Sequence, residues 1–420
     1  AGWLTADRFW RLGLGFVVNA WMARFLGPTE FGLLAFACSF ADVFSSIAGL
    51  GLDMVIVRDI VSKPSQSDEL MGTAWTLRFL AGIAGAATIV GIVALLRPGD
   101  EQALLIAAIV SGTVILNSFG VIENWFASQT RSKFYVIANN AALSLSGAIR
   151  AVAIVAGAGV KSFAWIYLME AGFRAIGLNA AFRLAGGSFR QWRGRWKTAV
   201  ELLKAGYPFL LVGCATAIYM RSDIIIIERL LGESYVGLYS AVVRLAEVWY
   251  FVPAAIVTSV TPTIYRLKES GSPHYTERFQ AMLQVMAILA IALAIPMTFI
   301  ATPLVTLVYG QSYAAAGPIL SVYIWAAVFV FIGWAEVPWM MAEGLVLFLA
   351  RNTILGAIAN IALNLLLIPR FGLLGSAIAT LISQALAAFI ANGLSRRTWP
   401  VMRMQAAALT LRGAGALLRG

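Results

Sequence analysis

Several ionisable side chains of this chain stand inside long apolar runs, where charge is costly and usually serves a purpose. Arg244 and Glu247 are three residues apart and Tyr250 follows three later, so a helix would carry all three on one face. Arg221 and Asp223 lie in the preceding run, and Asp42 sits in the middle of an earlier one. Arg8, Arg11, Gly15 and Asn19 repeat at helical spacing and predict one polar, small-residue stripe. Arg78 and Arg150 have no acid within a helical turn, so they either line a polar cavity or snorkel to an interface. Guanidinium groups keep their charge at any cellular pH and offer rigid paired donors that match phosphate oxygens. Arg11, Arg78, Arg150, Arg221 and Arg244 therefore suit an anionic ligand, with Tyr250 placed to stack on it or simply to pack. Asp42, Asp223 and Glu247 read as ion-pair partners or as proton or cation sites.

Other chemistries find no residues. His274 is the single histidine and falls in a polar loop, giving no Ser–His or Cys–His pair and no zinc ligand set. Cys38 and Cys214 lie in predicted helices and read as small core residues. Glu170 and Arg174 stand four apart, in the favoured order for an intrahelical pair. Glu123 and Glu336, beside Trp125 and Trp334, read as structural or without an assigned role.

The elements that must position these groups follow from composition. Sixty per cent of the 420 residues are apolar and 12% are charged, too few charges for a soluble surface of this size. Runs of about 20 apolar residues cross a bilayer, and about twelve such runs are expected, from Leu4–Phe25 to Phe371–Leu394. The first is not a signal peptide, since it carries Arg8, Arg11 and Asn19 and no cleavage-type end. Most of the 31 lysines and arginines gather on one side, including the run FRQWRGRWK from Phe189. Arg24, Arg97, Lys161, Arg229 and Arg370 fall on the other. By the positive-inside rule both ends are cytoplasmic. The net charge of +11 is then mostly topology, with attraction to anionic membrane lipids as a second effect. Dispersed over loops, the basic residues form no groove-reading element, which argues against nucleic acid.

A repeat organises the runs. RFLGPTEFGLLAF from Arg24 and RLLGESYVGLYSA from Arg229 align at one constant offset, Gly27 with Gly232 and Gly32 with Gly237. The same offset sets Asp42 against Glu247, an acid for an acid. Each copy joins the first helix of a half to its second. The chain is thus expected to be all-α and polytopic, with two pseudo-symmetric six-helix lobes around a central cavity. The expected division is a first lobe over 1–185, a basic cytoplasmic linker over 186–198, a second lobe over 199–394 and a basic, irregular cytoplasmic tail over 395–420. Two halves of equal orientation make a parallel repeat, with a substrate site between lobes.

ARFLGPTEFGLLAF followed by AGLGLDMVIVRDI from Ala48 resembles the opening of the polysaccharide flippases of the multidrug/oligosaccharidyl-lipid/polysaccharide exporter superfamily. RSDIIIIERLLGESYVGLYSAVVRLAEVWYFVPAAIVTSVTPTIYRL from Arg221 is similar to that family's D…LG…VGxYxxAxRLxE…P pattern, and FGLLGSAIATLIS from Phe371 to its late-helix signature. The resemblance implies a Wzx-type flippase that moves an undecaprenyl-diphosphate-linked oligosaccharide from the inner to the outer leaflet of a bacterial inner membrane. It implies no chemistry on the substrate and no cofactor beyond membrane potential and proton or sodium exchange. Other membrane proteins of polysaccharide assembly would be its partners. Arg244 matches the family's arginine in the RLxE context. A drug exporter of the same superfamily would want a cavity dominated by acids. A polymerase or ligase would want a long outer loop for its catalytic groups, and a lipid-binding scaffold would move nothing.

Overall fold

The computed structural model describes residues 2–410, and among them the side chains of Trp10 and of residues 13–410. Arg8 and Arg11 are in the first helix, but their side chains lie outside the described residues. Every described element is helical. In chain order these are α1 (Gly2–Ala48), α2 (Leu52–Ser62), α3 (Ser67–Leu96), α4 (Glu101–Leu116), α5 (Val121–Ser128), α6 (Ser132–Val155), α7 (Val160–Leu184) and α8 (Trp196–Leu231). They continue as α9 (Glu233–Glu247), α10 (Phe251–Glu269), α11 (His274–Tyr309), α12 (Gly317–Tyr323), α13 (Ala326–Ala342), α14 (Val346–Ala388) and α15 (Trp399–Leu409).

By length and apolarity eight described stretches can cross a membrane, or nine with the pair Gln311–Tyr323 and Ala326–Ala342, bent by 49°. That is fewer than the twelve expected, for three physical reasons, the first being that Val346–Ala388, at 43 residues, counts once although a non-helical Gly372 divides it. Gly13–Ser62, at 50 residues, is far longer than one crossing needs, and a glycine hinge divides it. The 25 residues of α7 hold Lys161, Glu170, Arg174 and Arg183, which dilute its apolarity.

The aligned glycines explain the repeat. Gly27 has φ 72° and ψ 172°, and Gly232 has φ 97° and ψ 177°. That region of backbone space is open essentially to glycine alone. Both copies thus fold back on the same glycine-only turn, and any side chain there would be strained.

The chain forms two compact units, Ala1–Ile225 and Ile226–Gly420. In the first, α1 packs on α3, α4, α6 and α7, and α2 on α5. One end of this unit is an aromatic core. Phe126 and Phe182 are buried there, and Trp125 meets Phe182 edge-on at 4.9 Å. The start of α8 joins the same unit by direct backbone contact, since a Cβ on Gly206 would come 2.7 Å from the Leu50 carbonyl oxygen.

In the second unit α11 packs on α12, α13 and α15, and α13 on α14. Asn352 donates to Asn392 Oδ1 at 2.7 Å and Asn360 to Ser383 Oγ at 3.2 Å, tying the two arms of the hinged α14 and its following turn. Tyr239 and Thr380 hydroxyls meet at 3.1 Å and bind α9 to the same arm. Such side-chain bonds are the usual glue between helices in lipid. The region past Leu394, expected to be irregular, instead carries α15, whose Val401, Gln405 and Ala408 are fully buried.

Candidate functional site

Helices α2, α3, α5, α6 and α7 bring six ionised groups of the first unit into three cross-helix pairs. Arg78 of α3 is buried and its Nη2 donates to Asp53 Oδ1 on α2 at 2.8 Å. Asn124 of α5 donates to the same oxygen, also at 2.8 Å, while the Asp53 side chain stays 66% exposed. Arg174 of α7 donates from Nε and Nη2 to Glu123 Oε1 on α5 at 3.0 and 2.8 Å, and Asn139 of α6 adds a third bond at 3.2 Å. Arg150 of α6 donates to Glu170 Oε2 on α7 at 2.6 Å, with Ser146 bonded to the same oxygen at 2.7 Å.

Arg150 is the most deeply placed of these cations, its side chain 2% exposed, and its guanidinium lies 4.6 Å from the Tyr167 ring centre. The Tyr167 hydroxyl in turn donates to Asn19 Oδ1 on α1 at 3.1 Å, so the polar stripe of α1 reaches this cluster through Asn19. Buried Arg78 Nε and Arg150 Nε make no hydrogen bond of their own. Each guanidinium therefore keeps donor capacity that its acid does not use.

This arrangement corrects one expectation and bears on a choice left open. Glu170 and Arg174 do not pair along their own helix; the first turns to Arg150 and the second to Glu123. One helical turn on α7 changes the facing neighbour from α6 to α5. In each place a carboxylate collects two or more donors, more than an isolated intrahelical contact provides. Arg78 and Arg150 do not snorkel either, because acids on adjacent helices hold them inside.

The remaining candidates fall as follows. Arg221 of α8 donates from Nε to Asp42 Oδ2 at 2.9 Å, so the seventh expected span meets the second within the first unit. Asp42 is 55% exposed there and Arg221 26%. Asp223 is buried, and its Oδ1 accepts the Ile224 backbone N–H at 2.9 Å. In the second unit, Arg244 and Glu247 are half-buried near the end of α9, and Tyr250 is half-buried in the following turn, Val248–Tyr250.

Asp53 and Asn124 escaped the sequence reading. Asp53 nevertheless carries the signal that marked Asp42, an acid inside an apolar run. No sequence signal marks Asn124 as its partner. Among the described residues no group of three or more His, Cys, Asp or Glu could hold a metal ion.

The sequence pattern of a family described as "Polysaccharide biosynthesis protein" matches residues 21–318. The probable flippase AglR of Haloferax volcanii is 25% identical over 395 residues, covering 90% of this chain and 79% of that protein. A putative O-antigen transporter of Shigella dysenteriae is 23% identical, over 88% of this chain and 93% of its own length. Among solved structures, the lipid II flippase MurJ in its inward closed conformation superposes with a TM-score of 0.75 at 12% identity, over 100% of this chain and 93% of MurJ. That likeness shows a shared fold, in keeping with the all-α polytopic class expected from the sequence.

Proposed function

Since the chain belongs to the polysaccharide biosynthesis protein family and is a multi-pass membrane transporter rather than an enzyme, we propose that it flips an undecaprenyl-diphosphate-linked oligosaccharide from the inner to the outer leaflet of a bacterial inner membrane. Flippases and O-antigen transporters among its relatives support the coarser part of this reading, transport of a lipid-linked glycan. The observation that carries the finer part is the set of guanidiniums held among apolar helices with donor capacity left over, Arg78 and Arg150 above all.

On this reading the diphosphate engages arginines while the polyprenyl tail stays in lipid. Within the first unit Arg78, Arg150 and Arg221, the last 26% exposed beside Asp42, take phosphate oxygens, because a doubly charged anion competes well with a single carboxylate for a guanidinium, and Arg244 on α9 is proposed separately as an anion-binding group of the second unit. Tyr250 borders the sugars. Access then alternates from the inner to the outer leaflet. Moving about two negative charges outward across an inside-negative membrane is favoured by roughly 4–5 kcal/mol per 100 mV. Asp42, Asp223 and Glu247 are the groups proposed to exchange protons or sodium as the transporter resets. Both termini and the basic strap near Phe189 face the cytoplasm, and other assembly proteins of the membrane would supply and accept the glycan.

The test is transport of a defined, labelled undecaprenyl-diphosphate oligosaccharide in vesicles containing the purified protein. Arg244→Ala is expected to reduce flipping to background while leaving thermal unfolding unchanged. Full transport by that variant would remove Arg244 from the mechanism. Absence of flipping by the wild type across several such glycans would remove the substrate class.

A further inference from the structure

The first unit holds a second feature, lined by residues that take no part in its three cross-helix pairs. Between the ends of α3 and α7 lies a cavity of about 450 Å³, closed on one side by the strap that joins α7 to α8. Four aromatic rings, Trp75, Phe119, Phe189 and Trp192, stand in its walls. Trp75 of α3 lies 6.3 Å from Trp192 of the strap and 5.9 Å from Phe119, and Phe189 meets Trp192 edge-on at 4.8 Å. Arg183, in the last turn of α7, also lines the cavity and places its guanidinium 5.6 Å from the Phe189 ring centre.

The strap is fixed rather than draped. The Arg195 backbone N–H donates to Thr73 Oγ1 at 3.1 Å, the Arg195 side chain pairs with Glu69 at 3.2 Å, and Thr198 bonds the other oxygen of Glu69. Two donors in these walls have no acceptor: the indole Nε1 groups of Trp75 and Trp192 are shielded from solvent and hydrogen-bonded to nothing. Leaving such a donor unmade costs free energy, and both belong to rings that border one cavity. The charges of the strap and of the helix ends it joins, Arg183, Arg190, Arg193, Arg195 and Lys197, are exposed and all positive, with half-buried Glu69 of α3 paired to Arg195.

We infer that this cavity is a binding site for an anionic glycerophospholipid, with Arg183 at the phosphate and the acyl chains on the Trp75, Phe119 and Trp192 faces. Basic pockets between spanning helices recognise anionic headgroups in this way, and ring faces suit chains better than a soluble anion. The placement follows from the cytoplasmic orientation proposed above for the strap, where the inner leaflet supplies such lipids. Binding itself depends neither on that orientation nor on transport, so the two readings fail separately.

Native mass spectrometry of the purified full chain provides the test. Titrated in parallel with dioleoyl phosphatidylglycerol and dioleoyl phosphatidylcholine, the wild type should retain one phosphatidylglycerol in clear preference. Arg183→Gln should weaken that retention by about five- to tenfold, the size expected for one cation at a lipid phosphate, and leave phosphatidylcholine unchanged. Arg183 is exposed, so this variant should fold normally. Trp192→Leu should weaken it too, whereas Arg190→Gln, outside the cavity walls, should change it less than twofold. Equal retention of the two lipids overturns the inference, as does an effect of Arg183→Gln no larger than that of Arg190→Gln. Preferential capture of undecaprenyl diphosphate at this site, or displacement by glycerol 3-phosphate alone, also overturns it.

Discussion

Between the helices of the first unit, three arginines meet acids in described ion pairs. Arg78 meets Asp53, Arg174 meets Glu123 and Arg150 meets Glu170, each across two helices. The second unit, besides its exposed Lys268–Glu343 pair, offers buried amide and hydroxyl contacts: Asn352 with Asn392, Asn360 with Ser383, Tyr239 with Thr380. Even its most buried acid follows that style. Glu336, 1% exposed, receives Asn392 at 3.0 Å and Gln405 of α15 at 2.7 Å on one oxygen, and its other oxygen has no partner. Fixed charges are expensive to bury and are held by strong, directional attraction that another ion can redirect. Amide pairs bind helices together with little response to charge. On the proposed function, the ion pairs of the first unit are contacts an anionic cargo can rearrange, and the amide contacts of the second, apart from its proposed anion-binding Arg244, hold their helices in register.

Three perturbations would break or sharpen this contrast. The largest effect is expected from Arg150→Met, which leaves Glu170 without its cation among apolar helices. Removing one partner of a buried pair costs about 3–5 kcal/mol, so chemical unfolding in detergent should show a loss of that size. Replacing Glu170 by Met as well should recover much of it. If Arg150→Met is tolerated, the ion pairs of the first unit are not what sets it apart from the second.

A smaller effect should follow at Glu336. Glu336→Leu strands the Asn392 and Gln405 donors and should cost about 1–3 kcal/mol per unmet group, also loosening α15, which hydrogen exchange would detect. Glu336→Gln keeps an acceptor for both amides and should be tolerated far better. Equal damage from the two variants would mean that the carboxylate charge itself is required, erasing the difference between the units. Smallest of the three is Asn360→Ala, which should cost about 0.6–1.7 kcal/mol, as single side-chain bonds between membrane helices do. The same unfolding measurement would detect it.

Much of the fold was legible because its signals are local. Apolar runs, loop residues and the aligned glycines specify helices and turns through backbone sterics and solvent preference, with no reference to distant residues. Gly27 and Gly232 show this best: one sequence pattern, repeated, takes one backbone conformation, repeated. Asp53 excepted, most charged residues inside apolar runs were equally visible one by one. Their partners were not. Glu170 and Arg174 fit a local pairing rule, yet the rotation of α7 against α6 and α5 sent each to another helix. α15 was hidden for a related reason, since its mixed composition reads as a tail until Gln405 is seen buried against Glu336.

The sequence by itself therefore determined an all-helical membrane chain with a duplicated turn and cations inside its spans, since each of those follows from the chemistry of short segments. Only the tertiary structure decided which acid holds which arginine and where the basic strap lies. Those choices depend on distances between side chains far apart along the chain, and helix packing alone sets them.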